Sequence, residues 1–183
     1  MSDELIVSCC APTLAGIKTG NLFSCRFDSR EEIMEEIRRC NLCLRDCGMI
    51  MIPLRFSADS ALIYLYRPDA LVRDLSCPDA EEILSRAGYR GLPCNKAVAR
   101  LKKRLSDKQD FPHEIGLFLS YPPEDVRGFI DNRASNSKVT GYWKVYGDEE
   151  KARITFEKYK KCTENYCSRL KSGYTLKQLA VAV

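Results

Sequence analysis

Met49-Ile-Met-Ile-Pro-Leu-Arg-Phe56 and Ala61-Leu-Ile-Tyr-Leu-Tyr-Arg67, separated by Ser57-Ala-Asp-Ser60, decide the fold class of this chain. Both runs are β-prone, and a short polar link between such runs is a natural hairpin connection, so the segment predicts two antiparallel strands. Pro53 removes one ladder donor and sends its strand to an edge or a bulge. Before the hairpin, Ser29-Arg-Glu-Glu32 has the form of a capping box, and Ile33, Ile37, Cys40, Leu44 and Cys47 follow at intervals of 4, 3, 4 and 3 up to Gly48. That spacing predicts an amphipathic helix with a glycine stop. Further upstream, Asn21 to Phe27 reads as an extended first strand, after a short helical turn that starts at Pro12 and closes near Gly20.

Beyond the hairpin, Pro68 and Pro78 open short helices over 69–75 and 79–87, and a third over 96–105 buries Val98, Leu101 and Leu105 while exposing Lys102, Lys103 and Arg104. Glu114 to Ser120 is an apolar run suited to a buried strand, and Pro122-Pro123 begins a helix to about Asn132. Gly141 to Tyr146 reads as an aromatic strand. Asp148 then caps a long helix, ended by Gly173, on which Ala152, Phe156, Tyr159, Thr163, Tyr166 and Leu170 form a continuous stripe. Strand, helix, strand, helix predicts parallel neighbours in the C-terminal half. The expected fold is therefore α+β, a single domain over 1–183 with a mixed sheet of about five strands, one antiparallel hairpin among them, packed with helices.

Composition agrees with a folding chain of ordinary size. Of 183 residues, 45% are hydrophobic and 30% charged, which excludes global disorder and a large multidomain machine. A formal net charge of +4 is mild and gives no strong nucleic-acid signal. Met1-Ser-Asp-Glu-Leu-Ile-Val7 carries acids where a secretory signal carries Lys or Arg, and charges or prolines interrupt every apolar run well short of a membrane span. The expected location is cytoplasmic, with no membrane partner. In that compartment the 10 cysteines are read as reduced thiols and not as a disulfide framework.

The thiols are unequal. Cys40, Cys43 and Cys47 have a C-x2-C-x3-C spacing, but Cys40 and Cys47 continue the Ile33/Ile37 stripe, which assigns them to packing. Cys162 and Cys167 lie about 140° apart on a helix and share no face. Cys9 and Cys10 precede the short helix expected at Pro12, where a helix N-terminus favours a thiolate, so Cys10 is the candidate nucleophile and Lys18 a nearby anion receptor. His113, the only histidine in the chain, must supply any imidazole chemistry, and Glu114 is its nearest carboxylate. Tyr121 stands at the end of the same expected strand, immediately before a helix start, where open sheets bind ligands. Tyr142, Trp143 and Lys144 add aromatic faces and a cation suited to a planar or anionic ligand.

Three of these segments carry a family resemblance: Cys10-Ala-Pro-Thr-Leu-Ala-Gly-Ile-Lys18 with Asn21-Leu-Phe23; Phe111-Pro-His-Glu-Ile-Gly-Leu-Phe-Leu119 running into Tyr121-Pro-Pro-Glu-Asp-Val126; and Gly141-Tyr-Trp-Lys-Val-Tyr-Gly-Asp148. In order and spacing they resemble the bacterial family of Domain of Unknown Function 3793 over nearly the full chain. The resemblance implies a small bacterial cytoplasmic protein and brings no activity with it. It also implies that histidine often occupies the position of Cys9, and that the Cys40, Cys43, Cys47 cluster is not part of the family pattern.

Three functions follow as expectations. The first is a small ligand-binding, enzymatic or redox domain using Cys10, His113 and Glu114, with Lys18, Tyr121, Tyr142, Trp143 and Lys144 receiving the ligand. The second is a soft-metal binding or sensing protein that uses Cys9, Cys10 and His113. The third is a noncatalytic module meeting a protein partner through the basic helix or the Tyr-Trp-Lys segment. No glycine-rich phosphate loop or cofactor motif accompanies them, so the sequence names neither cofactor nor reaction.

Overall fold

The chain runs through helix α1 (Asp3–Leu14), strand β1 (Gly20–Arg26), helix α2 (Arg30–Leu44), and strands β2 (Ile50–Phe56) and β3 (Ser60–Tyr66). Helices α3 (Pro68–Leu75), α4 (Pro78–Arg86), α5 (Cys94–Ser106), α6 (Ile115–Phe118) and α7 (Pro123–Asp131) follow. Strands β4 (Val139–Thr140) and β5 (Lys144–Val145) and helices α8 (Glu149–Lys171) and α9 (Leu176–Leu179) complete it. This computed structural model describes residues 1–107 and 111–183. They divide into two compact units, Met1–Ala70 with Lys161–Val183, and Leu71–Lys160.

In the first unit the hairpin forms as read, and β1 joins it to give an antiparallel sheet of order β1-β3-β2. β2 is an edge strand, and its register slips between Pro53 and Arg55, where proline has no N–H to offer the ladder. Alternation along β3 sends Ala61, Ile63 and Leu65 to one face, where they pack with Ile6, Cys10 and Leu14 of α1 and Ile33, Ile37 and Leu44 of α2. Each fully buried aliphatic side chain of this set contributes about 1.5–3 kcal/mol. Leu176 and Leu179 of α9 join the same core, behind a capping box in which the Thr175 hydroxyl accepts the Gln178 N–H. On the other face of β3, Tyr64 and Tyr66 stack with ring centroids 4.6 Å apart. Gly20 makes room for them, since a Cβ there would lie 2.5 Å from the Tyr64 ring.

α1 departs from the expectation of a short helix after Pro12. It starts nine residues earlier, where the Ser2 hydroxyl accepts the Leu5 N–H ahead of Asp3 and Glu4. Pro12 lies in its last turn, and the carbonyl this deprives of a helical partner belongs to exposed Ser8. α2 starts at the predicted Ser29 cap, whose side chain accepts the Glu32 N–H, but ends at Leu44; a 3-10 turn over Arg45–Cys47 leads to Gly48 at φ 70°, and Cys47, expected on the buried stripe, is only partly buried. Arg67 ties the unit together. Its buried guanidinium donates to the carbonyls of Thr13 at 2.8 Å, Leu14 at 3.0 Å, Cys47 at 2.9 Å and Val181 at 2.7 Å.

The second unit is mainly helical; one of its two expected strands is absent and the other is cut to two residues. Glu114 to Ser120 forms a turn and α6 in place of a strand; the Ile115 N–H bonds the Pro112 carbonyl and Tyr121 N–H the Gly116 carbonyl. A short run buried on every side carries no periodicity to separate helix from strand. Gly141 to Tyr146 contributes only Lys144 and Val145 to a ladder, paired antiparallel with Thr140 and Val139. The next two N–H groups, of Tyr146 and Gly147, go to the Asp125 carboxylate at 2.7 Å each, so the backbone there is satisfied without a neighbouring strand. The α+β content stands, but the expected five-stranded mixed sheet is a three-stranded and a two-stranded antiparallel sheet, with no parallel neighbours among the described residues. The proline-initiated helices α3, α4 and α7 form as expected.

Candidate functional site

Asp125 organises the second unit. Two prolines open α7, and the next turn places Asp125 at its start with 3% of its surface exposed. One carboxylate oxygen accepts the backbone N–H groups of Tyr146 and Gly147, and the other accepts the Trp143 indole N–H at 2.6 Å. The segment bearing Trp143 is thereby locked to α7. Trp143 stacks on Tyr121 with centroids 4.9 Å apart and meets Phe156 edge-on at 4.5 Å. The Tyr121 hydroxyl donates to the Tyr142 carbonyl at 3.1 Å, and burial raises the phenol pKa above its ordinary value.

Cavities lie against this stack. An apolar slot of about 250 Å³ is lined by Tyr121, Trp143, Val126 and Phe129, with His113 and Lys144 among its walls. A more polar cavity of about 430 Å³ shares Tyr121, Asp125 and Trp143 and adds Arg73, Lys151 and Cys77. His113 is exposed, with its ring 5.0 Å from that of Phe129. Lys144 donates its ammonium to the Ala134 carbonyl at 2.7 Å. Ala134 belongs to a stretch in which Arg133, Ala134 and Asn136 all have positive φ, and Ser120, immediately before Tyr121, has φ 59°. Left-handed backbone in non-glycine residues costs free energy and gathers around functional sites.

The remaining expected residues are not among the slot's lining. Glu114 is buried, accepts the Tyr89 hydroxyl at 2.8 Å and pairs with Arg104 at 2.6 Å, so its carboxylate anchors α5, while it and His113 both line a separate cavity of about 350 Å³. Arg104 therefore departs from the solvated basic face, while Lys102 and Lys103 are exposed as read. Tyr142 packs on Phe156 and Tyr159 at 5.7 and 5.5 Å, outside the slot lining. Cys9, Cys10 and Lys18 belong to the first unit and His113 to the second.

Cys10 is fully buried in the third turn of α1 and does not stand ahead of a helix N-terminus as expected. Burial raises its thiol pKa far above the ordinary value, with Cys9 adding to the rise and Lys18 opposing it. Lys18 is itself buried, which lowers its pKa to about 8. The expected Cys9, Cys10, His113 metal set is not among the clusters formed: the described residues contain no group of three or more His, Cys, Asp or Glu able to hold a metal ion.

The family model described as "Protein of unknown function (DUF3793)" matches residues 6–180. The chain belongs to this family. Neither the curated proteins nor the solved structures contain a match to it. In this DUF3793 chain, sequence reasoning found the aromatic walls but missed Asp125, Val126, Phe129 and Cys77. Cys77 had a signal: Pro78 at the first helical position makes it the residue before α4. No helix among the described residues is long and apolar enough to cross a membrane.

Proposed function

We propose that this DUF3793 protein is a bacterial cytoplasmic small-molecule-binding protein whose ligand site is the slot between Trp143, Phe129, His113 and Lys144. The observation that carries this reading is the convergence of four residues flagged for their chemistry, His113, Tyr121, Trp143 and Lys144, on one apolar concavity. Its volume of about 250 Å³ lies between the roughly 150 Å³ that holds a benzene ring and the roughly 300–1,000 Å³ of drug-sized sites. That favours a compact planar ligand of about two fused rings. The rigid stack supports the same reading, because Trp143 is held at both its ring face and its N–H and needs little ordering to receive a flat partner.

Trp143 is the only tryptophan, so its indole N–H gives a single resonance in a nitrogen-correlated NMR spectrum. Titration with 2-naphthol, a neutral planar bicycle, is expected to shift that resonance saturably, and Phe129→Ala to weaken the effect. An unmoved resonance up to the solubility of 2-naphthol, with the protein folded, removes the reading.

A further inference from the structure

The slot has hydrogen-bond donors at its wall as well as a shape. Its titratable lining consists of His113, Tyr121, Asp125 and Lys144. Asp125 keeps its charge but is 3% exposed, and both of its oxygens are turned onto protein donors, one onto two backbone N–H groups and the other onto the indole N–H, so it offers a ligand no open acceptor. Tyr121 is a phenol whose proton goes to the Tyr142 carbonyl. The donors left to face a ligand are those of Lys144 and His113. Lys144 spends one of its three N–H donors on Ala134, which fixes the ammonium and keeps two donors for another acceptor. The His113 ring packs against Phe111 and Phe129 at 5.7 and 5.0 Å and brings a second N–H donor to the same rim.

Resting on the binding function proposed above, we infer that the slot selects a planar aromatic carboxylate, its ring against Trp143 and Phe129 and its carboxylate on Lys144 and His113. A carboxylate on an aromatic ring lies in or near the ring plane, so a ligand stacked within the slot carries its charge out at the ring edge, toward the rim. A protonated amine of the same shape would place a cation beside Lys144, and a neutral alcohol would leave both donors without a charged partner.

The test compares three probes of one shape, 2-naphthoate, 2-naphthol and naphthalen-2-ylmethylamine, by the shift of the Trp143 indole resonance. Naphthoate is expected to bind about tenfold more tightly than naphthol, as a charge-assisted pair is stronger than a neutral one, and the ammonium more weakly than naphthol. Lys144→Met should abolish the preference for naphthoate over naphthol, read as the ratio of the two affinities within the variant. Because Lys144 also holds Ala134, His113→Gln on the exposed side of the rim provides a second variant, expected to lower the naphthoate-to-naphthol affinity ratio severalfold. Raising salt should shrink the naphthoate advantage, which a purely structural lysine would not produce. Equal binding of naphthoate and naphthol, or a preference for the ammonium, overturns the charge selectivity and leaves the binding function standing. Failure of all three probes removes both.

Discussion

The Trp143 indole N–H donates to Asp125 at 2.6 Å, and the same carboxylate holds the two backbone N–H groups that follow β5. One side chain thus replaces a neighbouring strand as acceptor for this segment and presents the indole as a wall of the slot. Most of the second unit's unusual geometry is gathered within a few residues of that relationship, from Ser120 at φ 59° to Asn136 at φ 60°.

Asp125→Asn puts an amide N–H₂ among three donors and leaves at least one of them unpaired in a buried place. The expected loss of stability is about 2–4 kcal/mol. Urea unfolding followed by Trp143 fluorescence measures it, and the variant should bring the indole emission toward that of exposed tryptophan before the global transition.

Gly116 marks where α6 meets α7. A Cβ at this position would stand 2.7 Å from Val126 Cγ2 and 3.1 Å from the Tyr121 ring. Gly116→Ala is expected to destabilise by about 1–3 kcal/mol through overpacking, despite the better helix propensity of alanine. Val126→Ala in the same chain should recover part of that loss, a non-additivity that thermal unfolding of the two single variants and the double variant reads directly.

Local signals carried much of the fold and little of the site. Ser29, Pro68, Pro78, Pro123 and Asp148 each mark a helix start that the structure contains, and Pro53 marks the bulged edge. The two expected strands of the second unit fail for separate reasons. Ile115–Phe118 is buried all round, so no polar face disclosed its period, and the extended shape of the segment after Tyr142 depends on Asp125, 18 residues from Trp143 in the chain. Aromatic residues announce a wall by type alone. A carboxylate acting through three long-range hydrogen bonds does not. Cys10 departs for another reason: Pro12 has the form of a helix opening, whereas the helix that contains it already begins at the Ser2 cap.

Cys10 should therefore be inert in the folded protein. With the thiol fully buried and its pKa raised by burial, alkylation at pH 8 is expected to be slower than in urea by about a thousandfold or more, because the reagent must wait for an opening. Peptide-resolved iodoacetamide labelling measures this, with partly exposed Cys43 as the internal reference. Labelling of native Cys10 at a rate near that of Cys43 would contradict the buried placement.

Lys18 gives the first unit a pH signature. Its folded pKa of about 8 is below the ordinary 10.5, so between these values the unfolded chain binds the extra proton and the Lys18 contribution to stability rises with pH. Above pH 10.5 the amine is neutral in both states, and below about 8 the cost of burying its charge is present in full. Buried Cys10 works in the opposite direction, since only its unfolded form ionises as the pH passes 9.0. The measurement is accordingly a difference: the stability of the native chain minus that of Lys18→Met should climb from pH 8 to 10.5, by up to about 3 kcal/mol. A flat difference would mean that Lys18 is solvated.

Arg67 and the C-terminal segment should behave as one device. The guanidinium reaches four carbonyls in two helical ends and the chain terminus, and the Val181 N–H returns a bond to the Leu14 carbonyl at 3.0 Å. Arg67→Met leaves those acceptors buried or poorly paired and is expected to cost about 3 kcal/mol or more. Arg67→Lys should rescue little, because three donors on one nitrogen cannot span acceptors that a planar fork reaches from several edges. Deleting residues 181–183 removes only one of the four acceptors and should cost less. If the tail is held chiefly through Arg67, its deletion in the Arg67→Met background should cost almost nothing further, giving a coupling of about 0.5–3 kcal/mol in a double-mutant cycle. Strict additivity would show that the tail docks by its own contacts and that Arg67 serves only the helix ends.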